Sequence, residues 1–278
     1  MCILLTRIIS GIVGIIAAGI IIQTGSWLFI IAVLVLAMLA WVEYSHAFAH
    51  KGINLPTVFG AILTVYAILE AVLLPEYIVF PFMVVLMFVF FKMIFNHSSF
   101  SVQQACIMLA GIMYIVIPFY HLTALRTLGG DVVLATNSLM GDFTAGCALV
   151  WLTFIGTWAS DTFAYFVGCS IGKHRLCETI SPKKSIEGFV GGIVGTMICM
   201  AILGNIFGFN LIVMLVMGAL IAVIGTLGDL VESCFKRYVG IKDSGNLIPG
   251  HGGVLDRFDS LLFTAPLVYY TAVFLLGF

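Results

Sequence analysis

Nine apolar runs, each about 20 residues long, divide this sequence and leave it few ways to fold. They fall at 4–22, 27–48, 57–74, 77–95, 103–121, 144–168, 188–205, 211–231 and 260–277. Wound as a helix, a run of that length crosses the hydrocarbon core of a bilayer with every internal backbone group paired. Composition agrees. Of the 278 residues, 62% are hydrophobic and 9% charged, and the mean hydropathy is +1.19. A soluble domain carries about 25% charged residues, so these charges cannot clothe a water-soluble globule. The expected fold class is an all-α polytopic membrane protein with about nine transmembrane helices. Arg7 ahead of an apolar run has the look of a signal peptide. The run is long, however, and Gln23-Thr24-Gly25-Ser26 reads as a turn into the next, so an uncleaved first helix is expected.

The few charges are informative by position. Basic residues near span ends gather on the cytoplasmic side. With the N-terminus inside, the inner segments hold Arg7, Lys51, Lys92, Lys173, Arg175, Lys183, Lys184, Lys236, Arg237, Lys242 and Arg257, and the outer ones only Arg126. That asymmetry predicts an odd number of spans, a cytoplasmic N-terminus and an outer C-terminus. Residues 1–278 read as one integral membrane domain, with 1–143 mainly scaffold. Sixteen of the 25 Asp, Glu, Lys and Arg residues fall after residue 150, so 144–278 is the expected catalytic part, with charged inner loops at 169–187 and 232–259. The net charge of −1 gives no sign of a nucleic-acid partner. The seven cysteines form no CxxC pair and read as small buried hydrophobes, without disulfides or a zinc site. No internal repeat supports an inverted-repeat transporter.

Chemistry concentrates between Gly228 and Ser260. Asp229 and Glu232 are three apart, and so are Asp256 and Asp259, a spacing that puts each pair on one helix face. Oxygen ligands of this kind suit Mg²⁺, which keeps waters and substrate phosphates in its shell. Lys236, Arg237, Lys242 and His251 lie between the pairs, with Arg257 inside the second. Gly250, Gly252 and Gly253 flank the histidine, and glycine lets backbone N–H groups approach an anion. A solvated, topology-fixing loop is the plain alternative for mixed charge at a membrane surface. Paired acids at helical spacing favour a polyphosphate site with bound metal instead.

The other inner loop repeats the theme. Asp161 lies within an apolar helix, where a carboxylate is costly and marks a functional candidate. Ser181-Pro182-Lys183-Lys184 precedes Ser185 and Glu187, which read as a helix start beside two lysines, a favourable place for phosphate. Gly168 to Gly172 is too short for a Walker A loop, and His174 stands where Ser or Thr is needed. Glu43, His46 and His50 share a helical spacing and read as interhelical hydrogen-bond partners or cavity lining. Glu70 is expected at the outer interface. Asn96-His97-Ser98 has a glycosylation pattern but falls on the inner side.

The run from Ser233 to Asp259 resembles the phosphatidate cytidylyltransferase (CDP-diacylglycerol synthase) family, through Ser233, Phe235-Lys236-Arg237, Lys242-Asp243, Gly245, Pro249, His251-Gly252-Gly253 and Asp256-Arg257-Phe258-Asp259. Ser160 to Tyr165, Ser181 to Lys184 and Glu187-Gly188 are also similar to it. The motifs cover residues 158–260; the earlier spans match only in being apolar. Two positions depart: Ser185-Ile186 where the family commonly has Thr-Trp, and Cys169 where it often has a basic residue. The resemblance implies transfer of a cytidylyl group from CTP to phosphatidic acid, giving CDP-diacylglycerol and pyrophosphate, with Mg²⁺ and room for a second metal ion. It suggests Asp229, Asp256 and Asp259 as metal ligands, helped by Asp161 and Glu232. Lys236, Arg237, Lys242, Arg257 and His251 would carry the anion chemistry. Ser181, Lys183, Lys184, Gly252 and Gly253 would bind substrate. The site would face the cytoplasm of a bacterial plasma (inner) membrane, and a homodimer is compatible with this reading. A CTP-dependent enzyme acting on an ether lipid or a polyprenol is the nearest alternative, and an ion-coupled transporter the more distant one.

Overall fold

A computed structural model describes residues 2–74, 79–247 and 252–278. Each of the nine apolar runs coincides with a helix. These are α1 (Cys2–Thr24), α2 (Ser26–Ala49), α3 (Thr57–Leu73), α4 (Val79–Phe95), α5 (Val102–Thr127), α6 (Ala145–Ile171), α7 (Ile186–Ile206), α8 (Leu211–Val239) and, after the short α9 (Leu255–Phe258), α10 (Leu261–Thr271). A π-helical turn, Ala272–Leu276, continues α10. Among the described residues, four helices (α2, α5, α7 and α8) are by length and composition long and apolar enough to cross a membrane. Large apolar side chains such as Ile12, Ile16, Ile20, Val190, Val194 and Ile198 lie exposed on helix surfaces, as lipid-facing residues do.

Helix starts follow the sequence. Ser101 caps α5 in a capping box with Gln104, Thr144 accepts from Cys147 N–H, Ser185 from Gly188 N–H, and Asn210 from Ile212 N–H. Each such cap stabilises its helix by about 1 kcal/mol. The start expected at Ser185 is therefore present. The three longer connections hold more regular structure than plain loops. Residues 122–143 continue α5 and then form an antiparallel hairpin, β1 (Val133–Asn137) with β2 (Gly141–Thr144). Residues 169–187 hold a second hairpin, β3 (Arg175–Cys177) with β4 (Ser181–Ser185). The segment expected as a loop from 232 is helical through Val239, where Gly240 at φ 80° ends α8. No proline or glycine interrupts 229–239, so the apolar helix simply runs on into its charged end.

The helices nearest the charged residues pack closely through glycines. A Cβ on Gly192 would lie 3.1 Å from the Ser160 carbonyl, and one on Gly195 would strike the Phe163 ring, so α7 lies against α6. A Cβ on Gly228 would meet the Asp259 carbonyl oxygen at 2.6 Å, so α8 can approach the α9–α10 junction only with glycine there. Small residues serve this purpose wherever lipid removes the hydrophobic drive between helices. At the other end of the bundle Arg126 donates to the carbonyls of Ile22 at 2.9 Å and Gln23 at 3.4 Å. The one basic residue expected outside thus caps the C-terminus of α1, where a cation is favoured. The expectation of buried cysteines holds for Cys147; Cys106, Cys169 and Cys234 are exposed free thiols.

Candidate active site

The end of α8, the short α9 and the late turns of α6 meet around a cavity of about 800 Å³, within the range of ligand sites. Asp161, Asp229, Asp243, Asp256, Asp259, Lys236 and Arg257 line it. Ser10, Gly11, Gly14, Ile15 and Ala18 of α1 line it as well. Those α1 positions recur every three or four residues, so a single helical face of small and apolar groups meets the charged wall.

Of the five aspartates that line the cavity, Asp161, Asp229 and Asp259 influence one another electrostatically. Asp161 projects from α6 and is open to it. Asp229 is half-buried; its Oδ2 is paired with Lys184 Nζ at 2.5 Å and its Oδ1 accepts from Ser233 Oγ at 3.3 Å. Asp259 accepts from the N–H of Ser260 at 2.7 Å. Desolvation is the larger influence on Asp259 and the Asp229 carboxylate the next, with Asp161 adding to them. Together they push its pKa up to about 7 against the help of the Ser260 N–H.

Asp256 is placed differently. Its Oδ1 accepts from Lys236 Nζ at 2.8 Å, and its Oδ2 from Ser244 N–H at 2.8 Å, Ser244 Oγ at 2.9 Å and Gly253 N–H at 2.8 Å. Desolvation works to raise its pKa, but Lys236 and these N–H donors outweigh it and hold the carboxyl below its ordinary value of 3.8. Lys236 is also paired with Glu232 one turn back on α8. Glu232 is itself buried behind Lys236, beside a void of about 20 Å³ that Tyr44 and Tyr114 also line.

The structure therefore sorts the residues singled out in the sequence. Asp161, Asp229, Asp256, Asp259, Lys236 and Arg257 come together on one cavity wall. Lys184 reaches that wall through Asp229, while Lys183, the next residue of β4, points to solvent. Strand alternation separates the two lysines. Ser181 pairs with Cys177 across the hairpin. Arg237 and Lys242 are exposed and stand off the cavity wall. His251, with Pro249 and Gly250, lies outside the described residues. The glycines make room for the protein's own carboxylates. A Cβ on Gly252, at φ +94°, would lie 2.6 Å from Asp256 Oδ2, and one on Gly253 would lie 2.4 Å from Glu43 Oε2. Sequence reasoning missed Ser244, which carries no distinguishing signal. It also missed the cavity-facing place of Asp243.

Among the described residues, no three His, Cys, Asp or Glu side chains form a ligand set by themselves. Mg²⁺ does not require one. It is commonly bound through one or two carboxylates, waters and substrate phosphates. Asp161, Asp229 and Asp259 are near enough to perturb one another electrostatically and open onto a cavity that would admit such phosphates. The donor set fits a cation bound jointly with a polyphosphate.

Residues 5–275 match the Cytidylyltransferase family. A phosphatidate cytidylyltransferase of Synechocystis sp. is 35% identical over 286 residues, covering 97% of both chains. One of Bacillus subtilis is 32% identical over 273 residues, covering 95% of this chain and 96% of that one. One of Staphylococcus saprophyticus is 38% identical over 177 residues, and there the match spans 63% of this chain and 62% of the relative. With nearly the whole chain matched, the protein belongs to the cytidylyltransferase family.

Proposed function

We propose that this protein transfers the cytidylyl group of CTP to phosphatidic acid, releasing pyrophosphate and leaving CDP-diacylglycerol in the membrane. The observation that carries the reading is the cavity itself. Its lining combines carboxylates and cations with small and apolar residues of α1, as an aqueous triphosphate and a lipid phosphate meeting at a membrane boundary require. The relatives' shared name supports the same substrates.

The nucleophile in this reaction is an oxygen of the lipid phosphate monoester. By analogy with protein phosphomonoesters its second pKa is about 6, so it is ionised at neutral pH and needs no strong base. It forms a bond to the α-phosphorus of CTP. The bond from that phosphorus to the bridging oxygen breaks, and its electron pair leaves with pyrophosphate. The main barrier is bringing two anions together, and fixed cations answer it. Lys236, held by Glu232 and Asp256, keeps its ammonium at the cavity wall. Arg257, exposed on the same wall, is placed to meet a phosphate. Lys184 offsets the charge of Asp229 from the hairpin side. Asp229, Asp259 and Asp161 would hold Mg²⁺, which when bound neutralises charge on the attacking and leaving oxygens. Arg237, Lys242 and Lys183 serve the approach of anions from the cytoplasm. The enzyme sits in a bacterial plasma membrane with nine crossings and the cavity on the cytoplasmic side.

The test uses purified protein in detergent–lipid micelles with phosphatidic acid, Mg²⁺ and CTP labelled on the α-phosphate. Label is expected in the organic phase, dependent on Mg²⁺. Label remaining in water while the protein is folded would reject the diacyl substrate. Ether lipids and polyprenols, the latter with γ-labelled CTP, would then be assayed.

A further inference from the structure

One carboxylate of the N-terminal helices reaches behind the site. Glu43 extends from α2. Its Oε1 accepts from Val254 N–H at 2.8 Å, and its Oε2 accepts from Leu255 N–H at 2.9 Å and from Ser244 Oγ at 3.2 Å. Gly245 and Gly253 lie on either side of it. A Cβ on Gly245 would come within 2.7 Å of Oε1, and one on Gly253 within 2.4 Å of Oε2. The carboxylate has no ion pair among the described residues and does not line the cavity.

We propose that Glu43 is a positioning residue for the transfer reaction: it ties the start of the α8–α9 connection to its end and so fixes Asp256 and Lys236 at the cavity wall. The proposal rests on the functional reading above. The links are short. Val254 is the N-cap of the short α9 and Leu255 its first residue, and the N–H groups of both bond to the carboxylate. Asp256 is the next residue. Ser244 Oγ is within reach of both Glu43 and Asp256, so the two carboxylates grip the same turn. Asp256 in turn holds Lys236. A carboxylate can accept every one of these bonds. An amide has one acceptor oxygen, and its NH₂ would face an N–H donor.

Glu43→Gln is assayed for label transfer and for amide hydrogen exchange across 241–258. We expect kcat about thirtyfold lower, equal to about 2 kcal/mol on the barrier. The KM for CTP should stay within about twofold, because the lost interaction acts on the transition state. Exchange should quicken over 252–258 and remain unchanged in α6 and α7. Gly245→Ala presses a methyl group on the same carboxylate and should give the same pattern. The double variant should be no slower than the slower single one, because both changes break one contact. Wild-type kcat in Glu43→Gln, a lower kcat with unchanged exchange, or additive losses in the double variant would each overturn the proposal. If Glu43→Gln exchanges rapidly throughout, Gly245→Ala decides on the same criteria. If the wild type itself transfers no label, the functional reading fails, and exchange in the variants still decides whether Glu43 holds the connection.

Discussion

Two connections approach the cavity, and they are held by different means. The one between α6 and α7 is a backbone ladder with one carboxylate added. Arg175 pairs opposite Ser185 and Cys177 opposite Ser181, and Glu187 accepts the N–H groups of Lys173 and His174. The one between α8 and α9 carries no strand among its described residues. Its turns hang on two side chains, Glu43 and Asp256, which between them accept the N–H groups of Ser244, Gly253, Val254 and Leu255 and share the one hydroxyl hydrogen of Ser244. A backbone ladder survives most substitutions, since every residue brings the same N–H and C=O. A connection gripped by two carboxylates does not, since one change removes several bonds and leaves their donors unpaired.

The largest effect should come from neither grip but from the cavity they serve. Asp259→Asn is expected to lower kcat about a thousandfold, the scale of losing a preorganised electrostatic group, and chelation of Mg²⁺ should match it in the wild type. A rate near wild type would move the metal away from α9. Asp256→Asn breaks the grip on Lys236 and should cost about a hundredfold in kcat with the fold retained. A Mg²⁺ titration sharpens this result. An unchanged half-saturation marks a residue that holds Lys236, and a large shift marks a direct metal ligand. In the hairpin the two lysines should part company. Lys184→Ala frees Asp229 from a half-buried pair and should lower activity about tenfold, whereas Lys183→Ala should change it less than about twofold. Wild-type activity in Lys184→Ala would show that the hairpin does not act through Asp229.

The smallest effect is a dependence of stability on pH, and the two aspartates of α9 and its end give it opposite signs. Asp259 has its folded pKa raised to about 7 from an ordinary 3.8. The folded protein therefore holds a proton that the unfolded chain has lost, and stability falls as pH rises across that window. Asp256 is lowered, so its contribution is present above its ordinary value and is lost as pH falls through the folded one. In Mg²⁺-free protein the apparent melting temperature should drop from about pH 4 to about pH 7. Asp259→Asn should flatten that slope, and an unaltered slope would place its origin in another group.

The helices were legible as apolar runs of helix length, and α1 to α8 and α10 lie where those runs occur. Asp161 was legible because a carboxylate within an apolar helix is too costly to be idle, and Asp229 and Asp259 because each belongs to a pair of acids three residues apart. The hairpins were not. Ser181-Pro182-Lys183-Lys184-Ser185 has no apolar alternation to mark a strand, and its pairing is fixed by the ends of α6 and α7. The distinct fates of Asp256 and Asp259 were hidden as well. Both fit the same three-residue spacing, and only packing against Ser244 and Glu43 decides which carboxylate is spoken for. Glu43 carried a visible signal as an acid in an apolar run, but its partners lie more than 200 residues away in the chain.

The length of α8 has a consequence for how the site is kept in phase. Its 29 residues extend about 44 Å at 1.5 Å per residue, against a hydrocarbon core of about 30 Å. One uninterrupted rod thus anchors in the bilayer and carries Asp229, Glu232 and Lys236 at its end. Their azimuth is counted off by every residue beneath them. Removing a single residue from the apolar stretch would swing all three by about 100° and draw them in by about 1.5 Å. Asp229 would face away from Asp259 although neither residue had been touched.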